Sequence, residues 1–167
     1  MKYNLSNISI FPKEKVEVLR LTKNTYISTE NMLPNRGGVQ AASTLPSIEQ
    51  TQAFRRGDVL VSNIRPYFKK IWQAKWDGGC SNDVLVFRAS EETCPEFLYY
   101  VLSDDKFFNY ATTTSKGTKM PRGDKVAIMR YEIPKFRRTE QEKIAGCLRV
   151  IDEKIELNSE INHNLAA

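Results

Sequence analysis

The spacing of hydrophobic positions changes along the chain, and each change predicts a different element. From Gly57 to Phe87 the apolar residues come in short β-rich runs cut by turn residues. Gly57-Asp58 marks a turn, and Val59 to Ile64 reads as a strand. Pro66 breaks it, and Tyr67 to Trp76 resumes an extended pattern. Asp77-Gly78-Gly79 predicts another turn, and Val84 to Phe87 a further strand. Short strands joined by short turns imply an antiparallel sheet. Before them, Val16 and Val18 to Leu21 form one candidate strand and Tyr26 to Ser28 another, with a turn at Pro34, Asn35, Gly37 and Gly38. Residues 1–50 are otherwise hard to parse.

From Pro95 the period becomes helical. Phe97, Leu98, Val101 and Leu102 recur at helical spacing, and Phe107, Phe108 and Tyr110 begin a second helix. Residues 112–123 show no period and predict a loop. Val126, Ile128, Tyr131 and Ile133 then return to the core, ending at Pro134. The last segment opens with Thr139-Glu140-Gln141-Glu142, a capping box with a hydroxyl at the N-cap and a carboxylate three residues on. Ile144, Leu148, Ile151, Ile155, Asn158, Asn162 and Leu165 follow at spacings of four and three, the seam of a coiled coil. About 28 helical residues would span ~42 Å, more than a small domain needs to cover its own core. The pattern predicts an α+β fold: a mostly antiparallel-sheet domain with packed helices over residues 1–138, then a long coiled-coil helix over 139–167.

Composition adds where the charge sits. Within a net charge of +5, residues 116–138 hold eight basic and two acidic side chains, whereas 139–167 hold six acidic and three basic ones. A concentrated basic segment beside an acidic helix fits a phosphate-binding surface, and equally a solvated loop. No apolar run reaches the length of a membrane span, and Met1 opens onto polar sequence without a signal peptide; a cytoplasmic protein is expected. Cys80, Cys94 and Cys147 are widely spaced and lack neighbouring histidines. They are expected to be reduced, buried thiols.

Catalytic readings find no support. His163 is the only histidine and lies near the end of the seam helix. Ser115-Lys116 sits in a loop where the lysine would stay solvated rather than act as a base. There is no phosphate-binding glycine loop, dinucleotide fingerprint or metal-ligand spacing. Asp152-Glu153 belong to a helix face that is more simply solvated. Two clusters instead suggest binding. In Ser115-Lys116-Gly117-Thr118-Lys119-Met120-Pro121-Arg122-Gly123, followed by Lys125, glycines allow close backbone approach while Ser115, Lys116, Thr118, Lys119, Arg122 and Lys125 offer donors for phosphates. In Asn63-Ile64-Arg65-Pro66-Tyr67-Phe68-Lys69-Lys70, amide, guanidinium and ammonium groups alternate with aromatics. Asn63 and Arg65 are of the types that read base edges; Lys69 and Lys70 add charge. Tyr67 and Phe68 cannot share one face of a strand, so one of them is expected to pack inward. The terminal helix has three possible uses: covering the domain's own core, pairing with a partner helix, or lying on a membrane. Its acidic polar face argues against the last.

Several of these pieces occur together in one order. Gly57-Asp58-Val59-Leu60-Val61-Ser62, then Ser115-Lys116-Gly117-Thr118-Lys119-Met120-Pro121-Arg122, then Ile133-Pro134, Gln141-Glu142-Lys143-Ile144-Ala145 and Ile151-Asp152-Glu153-Lys154-Ile155 closely resemble the specificity subunits of type I restriction-modification systems. The resemblance runs from about Tyr26 onward. It implies a target-recognition domain followed by a spacer helix, without chemistry of its own. In that family a complete subunit carries two such units, whose helices pack antiparallel and hold the domains apart on a bipartite double-stranded DNA site. Modification (methyltransferase) and restriction subunits assemble around it and bring S-adenosylmethionine, ATP and magnesium; no cofactor is expected in this chain. A single unit corresponds to a half-length subunit or to a piece of a full one, and a homodimer through Ile144 to Leu165 would restore the missing helix pair. A function of another class also fits the composition: a coiled-coil adaptor whose basic loop binds an acidic protein.

Overall fold

A computed structural model describes residues 2–165. Strands β1 (Lys2–Asn4), β2 (Ser9–Ile10), β3 (Lys15–Glu17), β4 (Tyr26–Ile27), β5 (Gln50–Phe54), β6 (Val59–Ser62), β7 (Ile71–Gln73), β8 (Gly78–Cys80) and β9 (Val84–Ala89) come first. Helices α1 (Pro95–Ser103), α2 (Asp105–Thr113) and α3 (Lys125–Met129), strand β10 (Glu132–Pro134) and helix α4 (Arg138–Leu165) follow. The expected α+β architecture is present, with every strand but β10 ahead of the α-helices.

The central sheet has the order β2-β9-β6-β7, antiparallel throughout. Its strands are apolar at consecutive positions because both faces are covered. Val59, Val61, Ile71, Leu85 and Phe87 point to one side, where Phe97, Leu98, Leu102, Phe107, Phe108 and Ile128 from the helices complete the larger core. The alternate residues Leu60, Trp72, Val84 and Val86 point the other way, onto Ile27, Phe54 and Cys80 of the second sheet and Met32 beside it. That second sheet has the order β3-β5-β8-β4, and β4 pairs with β8 in parallel.

One turn and one strand expected from sequence lie elsewhere. Asp77-Gly78-Gly79 does not reverse the chain; Gly78 and Gly79 are strand residues in β8, and the bend precedes them at Lys75-Trp76. These glycines answer to crowding. A Cβ on Gly78 would lie 2.2 Å from the Thr25 carbonyl oxygen, and one on Gly79 would meet Leu21, Thr51 and Val16 side chains at 2.6–2.8 Å. Likewise Tyr67 does not resume a strand: Pro66–Phe68 is a 3-10 turn, and only Ile71–Gln73 is extended. Val18 to Arg20 is also a 3-10 turn, so the first candidate strand is confined to Lys15–Glu17. Thr112 and Thr113 belong to the end of α2, and Val126, expected inside, is 64% exposed on α3.

The N-terminus is tied to the base of the long helix by β1 and β10, which pair antiparallel. Helix α4 starts at Arg138, one residue ahead of the expected cap. The Arg137 N–H donates to the Glu140 carboxylate at 2.7 Å, while Glu142 is drawn to the Arg138 guanidinium at 2.6 Å. Glu140 thus plays the part foreseen for Glu142. The first turns are rooted in the domain: the Gln141 side chain accepts from the Cys94 N–H at 2.9 Å and donates to the Phe136 carbonyl at 3.1 Å, and Ala145 is buried. From Cys147 onward every described residue of α4 is exposed. Cys80 and Cys94 are buried as expected, but Cys147 is not. Among the described residues no helix is long and apolar enough to cross a membrane.

Candidate nucleic-acid interface

The two binding clusters, some fifty residues apart in sequence, are joined by their backbones. The Arg65 N–H donates to the Pro121 carbonyl at 2.9 Å, and the Gly123 N–H donates to the Asn63 carbonyl at 3.1 Å. Ile64 and Arg122 face each other between these bonds as an antiparallel bridge. The later segment is a closed loop rather than a loose one: Lys116 and Arg122 exchange two backbone hydrogen bonds, each of 2.9 Å. Gly117 supplies the left-handed turn, at φ +96°. Gly123 allows the close approach, because a Cβ there would lie 2.6 Å from Asn63 Oδ1.

The charged groups divide into paired and unpaired. Lys116 binds Asp124 at 2.5 Å, and Arg122 binds Asp83 at 3.1 Å. Asp124 is also the N-cap of α3, accepting from the Val126 and Ala127 N–H groups. The Lys116 ammonium, helped by those amides, holds its carboxyl below the usual range. Lys119 and Lys125 are exposed and form no ion pair among the described residues. Thr118 is exposed beside them, whereas Ser115 Oγ is spent on the Thr112 carbonyl at 2.6 Å.

In the earlier cluster, Lys69 and Lys70 are structural as much as they are surface charges. Lys69 Nζ binds Asp105 at 2.8 Å, and Lys70 Nζ donates to the Thr29 carbonyl at 2.6 Å. Asn63 is buried, and its Oδ1, like Arg65 Nε, is a buried atom with no hydrogen-bond partner among the described residues. Neither Tyr67 nor Phe68 packs inward as one was expected to; they are 47% and 40% exposed. The 3-10 turn removes the strand alternation on which that expectation rested.

Residues 7–167 match the family described as the type I restriction modification DNA specificity domain. The chain belongs to this family. It is 27% identical to the type I restriction enzyme HindI specificity subunit of Haemophilus influenzae, over 98% of the chain and 38% of that protein. Against the EcoDI specificity subunit of Escherichia coli it is 28% identical, over 71% of the chain and 28% of that protein. The chain thus spans well under half the length of these curated relatives. The crystal structure of the HsdS subunit from Thermoanaerobacter tengcongensis shares the fold, with a TM-score of 0.74 at 22% identity over 96% of the chain and 44% of that subunit. The S subunit of a type I system from M. genitalium does so at a TM-score of 0.66 and 19% identity, over 98% of the chain and 42% of that one. Family membership extends further toward the N-terminus than the motifs from Tyr26 onward had indicated.

In this specificity domain two residues that sequence reasoning passed over, Arg36 and Asp105, brace the Asn63–Lys70 cluster through Lys69. The Asp105 carboxylate takes both Arg36 and Lys69, whose hydrogen bonds pull its pKa down to about 2. Arg36 Nε also donates to the Ser103 carbonyl at 2.7 Å. Asn35 tolerates left-handed backbone and lies in the turn expected from sequence, but nothing in the sequence signals that conformation at Arg36. The seam positions run out from the domain: Ile144 is half-buried, Leu148 is 36% exposed, and Ile151, Ile155, Asn158, Asn162 and Leu165 are all exposed.

Proposed function

We propose that this domain binds duplex DNA sequence-specifically, reading one half of a bipartite target, and that it positions methyltransferase and restriction subunits without catalysing a reaction itself. One observation carries the reading: the Arg65–Pro121 bond merges the Asn63–Lys70 and Ser115–Lys125 clusters into one surface, in a chain of the DNA specificity family. That surface combines the half-buried Arg65, whose guanidinium is of a type suited to base edges, with exposed lysines suited to phosphates, while the Asn63 amide is buried beneath it. S-adenosylmethionine, ATP and magnesium then belong to the partner subunits. The exposed stripe from Leu148 to Leu165 supports pairing of α4 with a second helix. In a two-fold homodimer the helices would run antiparallel and set two domains on an inverted repeat, with half-sites about one turn of DNA apart, ~34–36 Å.

Selection of a target from a random duplex pool, followed by affinity measurement across salt concentration, tests this. Log affinity should fall linearly with log salt, with a slope of about −0.9 per phosphate contact. Binding to duplexes that is flat with salt, or equal for all sequences, would refute the proposal.

A further inference from the structure

Among the described residues, four other than glycine hold left-handed backbone, and they meet at one place. They are Asn35, Arg36, Arg65 and Lys69, at φ 53°, 61°, 50° and 52°. The Asn35 N–H donates to the Phe68 carbonyl and the Arg36 N–H to the Lys69 carbonyl, each at 2.9 Å. Side chains with a Cβ disfavour this conformation, so the surroundings must impose it. Those surroundings are visible. Arg65 is tied to Pro121, Lys69 to Asp105 and Lys70 to Thr29, and within the turn the Phe68 N–H donates to the Arg65 carbonyl at 3.0 Å.

What the bracing holds up is the Pro66–Phe68 turn, with Tyr67 and Phe68 at its tip. Their rings lie 4.9 Å apart between centroids, and both are substantially exposed. Phe68 has Lys70 Nζ 6.0 Å above its ring. Met120, 52% exposed, precedes the proline to which the turn is bonded. A core role is excluded by exposure, and a rigid frame around an exposed aromatic pair calls for a partner. The neighbouring cations Lys116, Lys119, Arg122 and Lys125 specify a polyanion, and the two faces available for stacking specify its bases. A protein partner would want a broader apolar surface than two rings and a methionine provide.

We propose that Tyr67 and Phe68 form a wedge that enters the base stack of the target duplex, opening one base step and bending the DNA there. Apolar and aromatic side chains inserted at base steps act in this way in DNA-bending proteins. A stiff mount suits the task, since a tip that could fold back would yield before the stack did. The idea rests on the DNA-binding reading above, and its test separates the two.

The probe is the selected duplex carrying 2-aminopurine at one position at a time. The unaltered protein should raise its fluorescence severalfold at one step only. Tyr67→Ala/Phe68→Ala should abolish that rise and weaken specific binding by about tenfold or more, with the salt slope unchanged. Tyr67→Ser alone, at the more exposed ring, should give a partial loss; matching urea midpoints exclude misfolding as the cause. Unchanged fluorescence and affinity in the double variant would overturn the wedge, as would a flat 2-aminopurine profile with the unaltered protein. Intact DNA recognition together with failed assembly of a modification subunit would overturn it in favour of a protein contact. Absence of any salt-dependent duplex binding by the unaltered protein would overturn the DNA reading as well.

Discussion

The Tyr100 hydroxyl on α1 donates to the Asp152 carboxylate on α4 at 2.8 Å, more than three turns beyond the start of the long helix. Burial and that hydrogen bond raise the Tyr100 pKa well above the usual phenol range. Near the helix base, Gln141, Ile144 and Ala145 pack against the domain; past Asp152 every described residue of the helix is exposed. The bond therefore holds the last domain-linked turn and sets the direction in which α4 leaves.

Replacing Tyr100 by Phe keeps the ring and removes the donor. The domain should fold normally, while amide exchange in residues 148–153 of α4 should quicken by about threefold to tenfold, in line with ~1 kcal/mol for one such bond. Exchange unchanged in that turn would show that apolar packing alone directs the helix.

Lys119 is a loop cation without an acidic partner among the described residues, so its replacement by Ala should remove one full phosphate contact and flatten the salt slope by ~0.9. The triple change Lys116→Ala, Lys119→Ala, Arg122→Ala should weaken binding to all duplexes alike. Arg65→Gly preserves the left-handed backbone while deleting the guanidinium, and should shift sequence preference. Equal loss on every sequence would make Arg65 a phosphate contact.

Asp58 is buried with its carboxylate in a two-toothed pair with Arg88, at 2.9 and 2.8 Å, and it accepts from the Arg55 N–H at 2.8 Å. Glu14 clamps the outer side of Arg88 and Arg55. Asp58→Ala leaves the Arg88 guanidinium with Glu14 alone and an unpaired N–H beside the β5–β6 turn. A loss of about 3 kcal/mol is expected from urea unfolding; a loss under ~1 kcal/mol would mean that Glu14 alone satisfies Arg88.

Asp105 has a folded pKa of about 2, lowered from 3.8 by Lys69 and Arg36. A depressed carboxylate pKa stabilises the fold above the unfolded value, and the contribution fades as pH falls toward the folded one. The contact between residues 35–36 and 68–69 should therefore stay protected at pH 5 and loosen between about pH 4 and 2. Asp105→Asn should loosen it at neutral pH and remove that pH step, which NMR of the Asn35 and Arg36 amides can follow.

Ile151 and Ile155 are 53% and 58% exposed on the free part of α4. Aspartate at both should yield folded monomers that bind single half-sites but not the paired site. Sedimentation showing the unaltered chain monomeric at tens of micromolar would end the homodimer proposal.

Hydrophobic spacing alone determined three strands of the central sheet (β6, β7 and β9), α1 and nearly the whole of α4, because those segments fix their own backbone through periodic burial and propensity. The ordered motifs likewise determined the family. Residues 1–50 resisted because their strands are two or three residues long and are held by partners far along the chain, β1 by β10 and β4 by β8. Only the tertiary structure decided that Gly78 and Gly79 are strand rather than turn, since what demands glycine there is the approach of Thr25 and Thr51. Only it decided that Tyr67 and Phe68 both face outward, since left-handed backbone at Arg65 and Lys69 is imposed by Pro121, Asp105 and the 35–36 segment. Local sequence encodes local conformation and burial period; a conformation enforced by distant backbone exists only once the chain has closed around it.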